Sequence, residues 1–155
     1  MNIPPDNVST HLSITRIYTA LVSLTLSIFA FYNDDLINSD GIMYLQMAQA
    51  FLDGGLEATK GVYDWPFFSI LIAGFHNISS LSLQLSATVI NCSLFIILTD
   101  ALVLISSRLV NNRFQLVTAA ILILSFYPVN EYRDFIIRDI GYWTFCSVAL
   151  YQFIK

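Results

Sequence analysis

The side chains of this sequence best placed to do chemistry are three carboxylates and two arginines. Asp40 stands near the front of "NSDGIMYLQMAQAFLDGG", residues 38–55, with Tyr44 and Ala48 following it at four-residue steps. On a helix that spacing puts all three along one stripe, and Asp40 falls in the first turn, where the helix dipole favours negative charge. A carboxylate held beside a tyrosine can take a proton from a hydroxyl. Asp40 can equally serve only as a cap, with Tyr44 part of an interfacial aromatic belt. Asp139 follows Arg138 and precedes Gly141-Tyr142-Trp143, either as a second site acid or as a salt-bridged helix boundary. Arg133 and Arg138 have the right chemistry to hold a lipid phosphate, or to pair with Glu131 and Asp134. Asp100 lies in a long apolar run, where an acid is costly and raises a functional suspicion, against which stands a hydrated structural contact. Asn91, in the same run, reads as an interhelical hydrogen-bond donor.

The elements that carry these residues are set by composition. Of 155 residues, 56% are hydrophobic and 12% charged, about half the charge of an ordinary soluble domain. A small soluble fold could not bury that much apolar surface, so the expected class is an all-α integral membrane protein. The net charge of −4 argues against a nucleic-acid partner. Cys92 and Cys146 sit in apolar stretches as small hydrophobes, and His11 and His76 have no metal-ligand spacing.

Four apolar runs have spanning character: 14–32, 83–107, 114–129 and 140–155. They form one membrane domain, 14–155, behind a loose polar tail, 1–13. A cleaved signal peptide is the alternative for the first run, but Phe31-Tyr32-Asn33 lacks the small residues of a cleavage site. The first outer loop is acidic and is expected to hold two short interfacial helices. One covers about 39–53, capped by Ser39 and stopped by Gly54-Gly55, with Ile42, Leu45, Ala48, Gln49 and Leu52 on its apolar face. The other covers about 66–77, with Trp65 before it and Pro66 in its first turn. Counting basic residues in short loops, Arg16, Arg108, Arg113 and Lys155 become cytoplasmic if the N-terminus is inside. Both acidic loops, 33–65 and 130–139, then share the outer face.

The order of these pieces resembles the GT-C superfamily of membrane glycosyltransferases, the polyprenyl-phosphate-sugar-dependent enzymes that include protein O-mannosyltransferases and lipid A sugar transferases. The residues carrying the resemblance are Asp40, Tyr44, Ala48 and Gly54-Gly55, then "VYDWPFFSILIAGF" at 62–75, Asn91, the basic turn from Arg108 to Arg113, "SFYPVNEYR" and Asp139. The resemblance implies that Asp40 is the general base for an acceptor hydroxyl and that Asp139 sits across the same cavity. It implies Tyr44, Trp65, Arg133 and Arg138 as substrate contacts and a lipid-linked sugar donor as partner. No metal ligand is assigned and no cofactor is required, although a divalent cation between carboxylates fits the pattern. The chain departs from the family at Gly41, where many relatives carry an acid or alanine, and in having Asp34 and Asp35 close by. Family members also have many more spans. The expectation is therefore a truncated enzyme module, one part of a split enzyme completed by a second chain, or a module that has lost catalysis and is inactive alone. The alternatives are a non-enzymatic four-span assembly or interaction protein, and a small transporter drawing on Asp100.

Overall fold

The computed structural model describes residues 5–33, 36–62 and 64–154, with side chains from residue 11 onward. Asp34, Asp35, Tyr63 and Lys155 lie outside the described residues, as does the start of the tail. The described residues form helices and turns and no strand. In chain order the helices are α1 (Pro5–Asn33), α2 (Ser39–Thr59), α3 (Phe67–Ser79), α4 (Leu83–Leu109), α5 (Arg113–Ser125), α6 (Tyr127–Asn130) and α7 (Asp139–Ile154). The expected loose tail is instead helical from Pro5, an extension of α1.

Two of these helices are long and apolar enough to cross a membrane: His11–Asn33 within α1, and α4. α4, with 27 residues, is about 40 Å long at the usual helical rise. It is the hub of the fold, packing against α7, α1, α5, α3 and α2. Ser82 caps it, accepting a hydrogen bond from the Leu85 amide at 3.2 Å.

The third expected span, 114–129, ends early. α5 has 13 residues and is about 20 Å long, short of a hydrocarbon core of about 30 Å. The cause is Pro128, which has no N–H to bond the Leu124 carbonyl one turn back. That carbonyl accepts from the Asn130 side-chain amide instead, at 2.7 Å. Phe126 is extended, and the chain makes the short turn of α6 before residues 131–138 run without regular structure into α7.

α1 is polar inside and apolar outside. Thr15, Thr19, Ser23 and Ser27, each four residues apart, are buried, while Ile17, Tyr18, Leu21 and Phe29 on its other faces are more than half exposed. Two of the hydroxyls, on Thr15 and Thr19, bond back to carbonyls one turn earlier. In water this distribution would be inverted. In lipid, small hydroxyl residues let helices approach closely and supply hydrogen bonds between them.

α2 and α3 pair with each other and rest on the first half of α4. Regular α2 geometry ends at Gly54-Gly55, as expected, where Gly55 has φ 67° and ψ −157°, a conformation open essentially to glycine alone. A further helical turn, 56–59, follows at a changed angle. The buried face is also rotated from expectation. Gly41, Tyr44, Met47 and Ala48 point inward, and Ile42 is exposed. Tyr44, Ala48, Phe68, Ile72, Ala73, Ala87, Ile90 and Ile136 form the core at this end. Val103, Leu116 and Ala120, with Leu12, form a smaller one at the other end.

Candidate functional site

The segment 131–138 is built into the bundle by side chains from three helices or their ends. The Asn38 side chain, at the N-cap position of α2, does not cap its own helix. Its Oδ1 accepts from the Ile136 amide at 2.9 Å, and its Nδ2 donates to the Ile136 carbonyl at 3.4 Å. Ser39, the expected cap, is the first helical residue instead. The Asn91 amide on α4 donates to the Phe135 carbonyl at 2.6 Å. An irregular segment needs such partners, because its own backbone groups find none in a helix or sheet.

Gly41 is fixed by the same contact. A Cβ there would stand 2.6 Å from Asn38 Oδ1, 2.9 Å from Ile37 Cγ2 and 3.0 Å from Ile136 Cβ. The first turn of α2 therefore presses directly on residue 136. Asp40 projects from that turn and is exposed; Asp139 is the first residue of α7 and is also exposed. The Asn38–Ile136 clasp brings the starts of these two helices to one end of the bundle.

Arg133 occupies the interior beneath them, with 6% of its surface exposed. Its Nε donates to Asn130 Oδ1 at 2.7 Å, and one terminal nitrogen donates to the Ser23 carbonyl, Ser23 Oγ and Ser27 Oγ at 3.0, 3.2 and 2.8 Å. The guanidinium lies over the Phe95 ring, 4.6 Å from its centre, a cation–π contact. Burial pushes its pKa down to about 10, so it stays charged at neutral pH. Arg133, expected to meet a lipid phosphate, is instead buried, with its bonded donors given to Asn130 and to Ser23 and Ser27 of α1, all neutral oxygens. The hydroxyl stripe of α1 is what allows a buried guanidinium, and that stripe was readable in the sequence as Thr15, Thr19, Ser23 and Ser27 but was not recognised.

The other expected contacts divide. Arg138 and Trp65 are exposed, with 69% of Trp65 accessible. Tyr44 is packed in the core, edge-on to Phe68 with ring centres 5.2 Å apart, so its ring supports the start of α2 from inside. Asp100 forms a two-pronged ion pair with Arg16, at 2.7 and 2.8 Å, which is the structural contact rather than a free intramembrane acid. Neither of the two best-formed cavities is lined by Asp40 or Asp139. One lies beside the Arg16–Asp100 pair, the other at the far end around the α4–α5 turn. Among the described residues no three His, Cys, Asp or Glu side chains gather as an ion-binding group.

Comparison with protein-family models, with curated proteins and with solved structures finds no match to this chain.

Proposed function

We propose that this chain is a membrane-embedded module of a GT-C-type glycosyltransferase, moving a sugar from a polyprenyl phosphate to an acceptor hydroxyl at the non-cytoplasmic face. The observation that carries the reading is the Asn38–Ile136 clasp, which sets two exposed helix-leading carboxylates at one end of the bundle. Two helices between the first long helix and the next, the kinked α2 and the short α3, add support. In this reading the N-terminus is cytoplasmic, α1, α4, α5 and α7 cross the bilayer, and segment 131–138 joins α6 to α7 on the non-cytoplasmic side. Further spans, from this polypeptide or a second one, complete the donor site.

Asp40 is the general base. It takes the proton of the acceptor O–H as that oxygen bonds to the anomeric carbon. The bond from that carbon to the lipid-phosphate oxygen breaks, its electron pair leaves with the phosphate, and the anomeric configuration inverts. Asp139 and Arg138 orient acceptor and donor. Positioning of this kind accelerates only if the carboxylate is held rigidly, which is the task of Gly41, Asn38 and Tyr44.

The test is sugar transfer from a polyprenyl-phosphate donor in membranes holding the chain. Asp40→Asn should lower the transfer rate by about 100-fold or more, the usual scale for losing a general base, with the protein still inserted. Undiminished transfer removes Asp40 from the reaction. The second reading is a non-enzymatic assembly protein, favoured by the placement of the well-formed cavities away from both carboxylates. It predicts no transfer by the parent chain under any donor.

A further inference from the structure

At the end of the bundle opposite Asp40, α1, α4, α5 and α7 converge around a cavity of about 280 Å³. Arg108 reaches it from the last turn of α4 and Arg113 from the first residue of α5, joined by His11, Asn111 and Tyr151. Among the described residues no carboxylate lines it, although the chain carries 11 acids against 7 lysines and arginines. Arg108 lies over the Tyr151 ring, 5.7 Å from its centre, with a weak hydrogen bond to the hydroxyl at 3.5 Å. Neither Arg113 nor His11 makes a side-chain hydrogen bond or ion pair among the described residues. The cavity therefore concentrates positive charge and donors that no carboxylate among the described residues neutralises. Arg133 shows the contrast: its guanidinium is enclosed, and its Nε and one terminal nitrogen donate to neutral oxygens of the protein.

We propose that this cavity binds a phosphate group, carried by an anionic membrane lipid. Two guanidiniums and an amide around a concave site match the acceptor oxygens of a phosphate. Two further features point to lipid as the carrier. Arg108 and Arg113 end and begin helices at the boundary of α4, a helix long enough to cross a bilayer, where headgroup phosphates lie. The cavity wall also passes through Leu116 into the apolar cluster with Leu12 and Val103, a surface suited to the start of an acyl chain. The inference rests on the membrane reading and is independent of Asp40, so sugar transfer and lipid binding can fail separately.

The experiment uses the full chain purified in a neutral detergent, with lipid retention followed by native mass spectrometry. Phosphatidylglycerol should bind at least about tenfold more tightly than phosphatidylcholine, since a net anionic headgroup gains from unpaired guanidiniums. The Arg108→Gln/Arg113→Gln pair should erase that preference, and the Arg108→Lys/Arg113→Lys pair should keep most of it. Millimolar inorganic phosphate that displaces the lipid would uphold the phosphate site with a soluble occupant. Failure of phosphate to displace bound lipid would uphold the lipid itself. Equal retention of the two lipids by the parent chain overturns the proposal. So does unchanged preference in the glutamine pair, or a lysine pair that binds as weakly as the glutamine pair.

Discussion

The two ends of this bundle solve opposite problems with the same residue types. At the α2–α7 end an irregular segment is drawn into the protein, and Arg133, Asn38 and Asn91 are committed to holding it, while Asp40, Asp139, Arg138 and Trp65 stay at the surface. Arg133 is held by hydroxyls of α1, Asn38 and Asn91 by backbone groups of residues 135 and 136. At the α4–α5 end the turn is short, the packing opens into a cavity, and the arginines face it. The difference teaches that an arginine in a greasy chain is not by itself a ligand site. What decides is whether neutral oxygens already surround it. Arg133 has them because α1 places Ser23 and Ser27 one turn apart beneath it; Arg108 and Arg113 do not.

That contrast can be broken most sharply at Arg133. Arg133→Met should lower stability by about 2–4 kcal/mol, the combined cost of several charge-assisted hydrogen bonds and of stranded buried hydroxyls, read as a fall in melting temperature in detergent. Arg113→Met, at the open end, should leave the melting temperature nearly unchanged. An equal effect of the two substitutions would mean that the ends are built alike.

Gly41→Ala comes next. The added methyl would meet Asn38 Oδ1 at 2.6 Å, and overpacking of this kind costs about 1–3 kcal/mol. Its diagnostic effect is on the clasp: amide exchange at Ile136 should speed up together with the loss of stability. Protection unchanged at Ile136 would mean that α2 does not press on that residue. A smaller loss than that of Arg133→Met or Gly41→Ala belongs to Asp100→Asn. The ion pair with Arg16 is two-pronged, but its side chains are 42% and 26% exposed. Partly exposed pairs and polar contacts within membranes are each worth about 1 kcal/mol or less. A loss as large as that of Arg133→Met would give the pair a role that its exposure does not explain.

Much of the helical order was legible because it rests on local chemistry. Polar breaks and turn residues marked α3, α4 and α7 to within a few residues, since Ser82 and the Asn111-Asn112 turn act on their own neighbours. Tyr127-Pro128 marks the close of the third span in the sequence, but the missing N–H acts one turn back and ends α5 at Ser125 rather than Val129. The rotation of α2 was not legible. Ile42 and Gly41 are adjacent, and only the approach of Ile136, nearly a hundred residues on, makes the glycine face the buried one. The site divides in the same way. That Asp40 and Asp139 stand in the first turns of helices was legible locally. The burial of Arg133 depends on hydroxyls some 110 residues earlier, and Asn38, which joins the two carboxylates' helices, looked like an ordinary residue before a cap.

The central claim is that Asp40 and Asp139 belong to one rim of the molecule. The direct measurement is a pair of spin-label distances in membranes, with Cys92 and Cys146 replaced by serine and labels on cysteines substituted at the exposed positions 40 and 139. A second pair, at 40 and 113, supplies the length scale. The account predicts a single narrow 40–139 distance, well under half the 40–113 distance, which should approach the roughly 40 Å length of α4. A 40–139 distance as long as the 40–113 distance would contradict it.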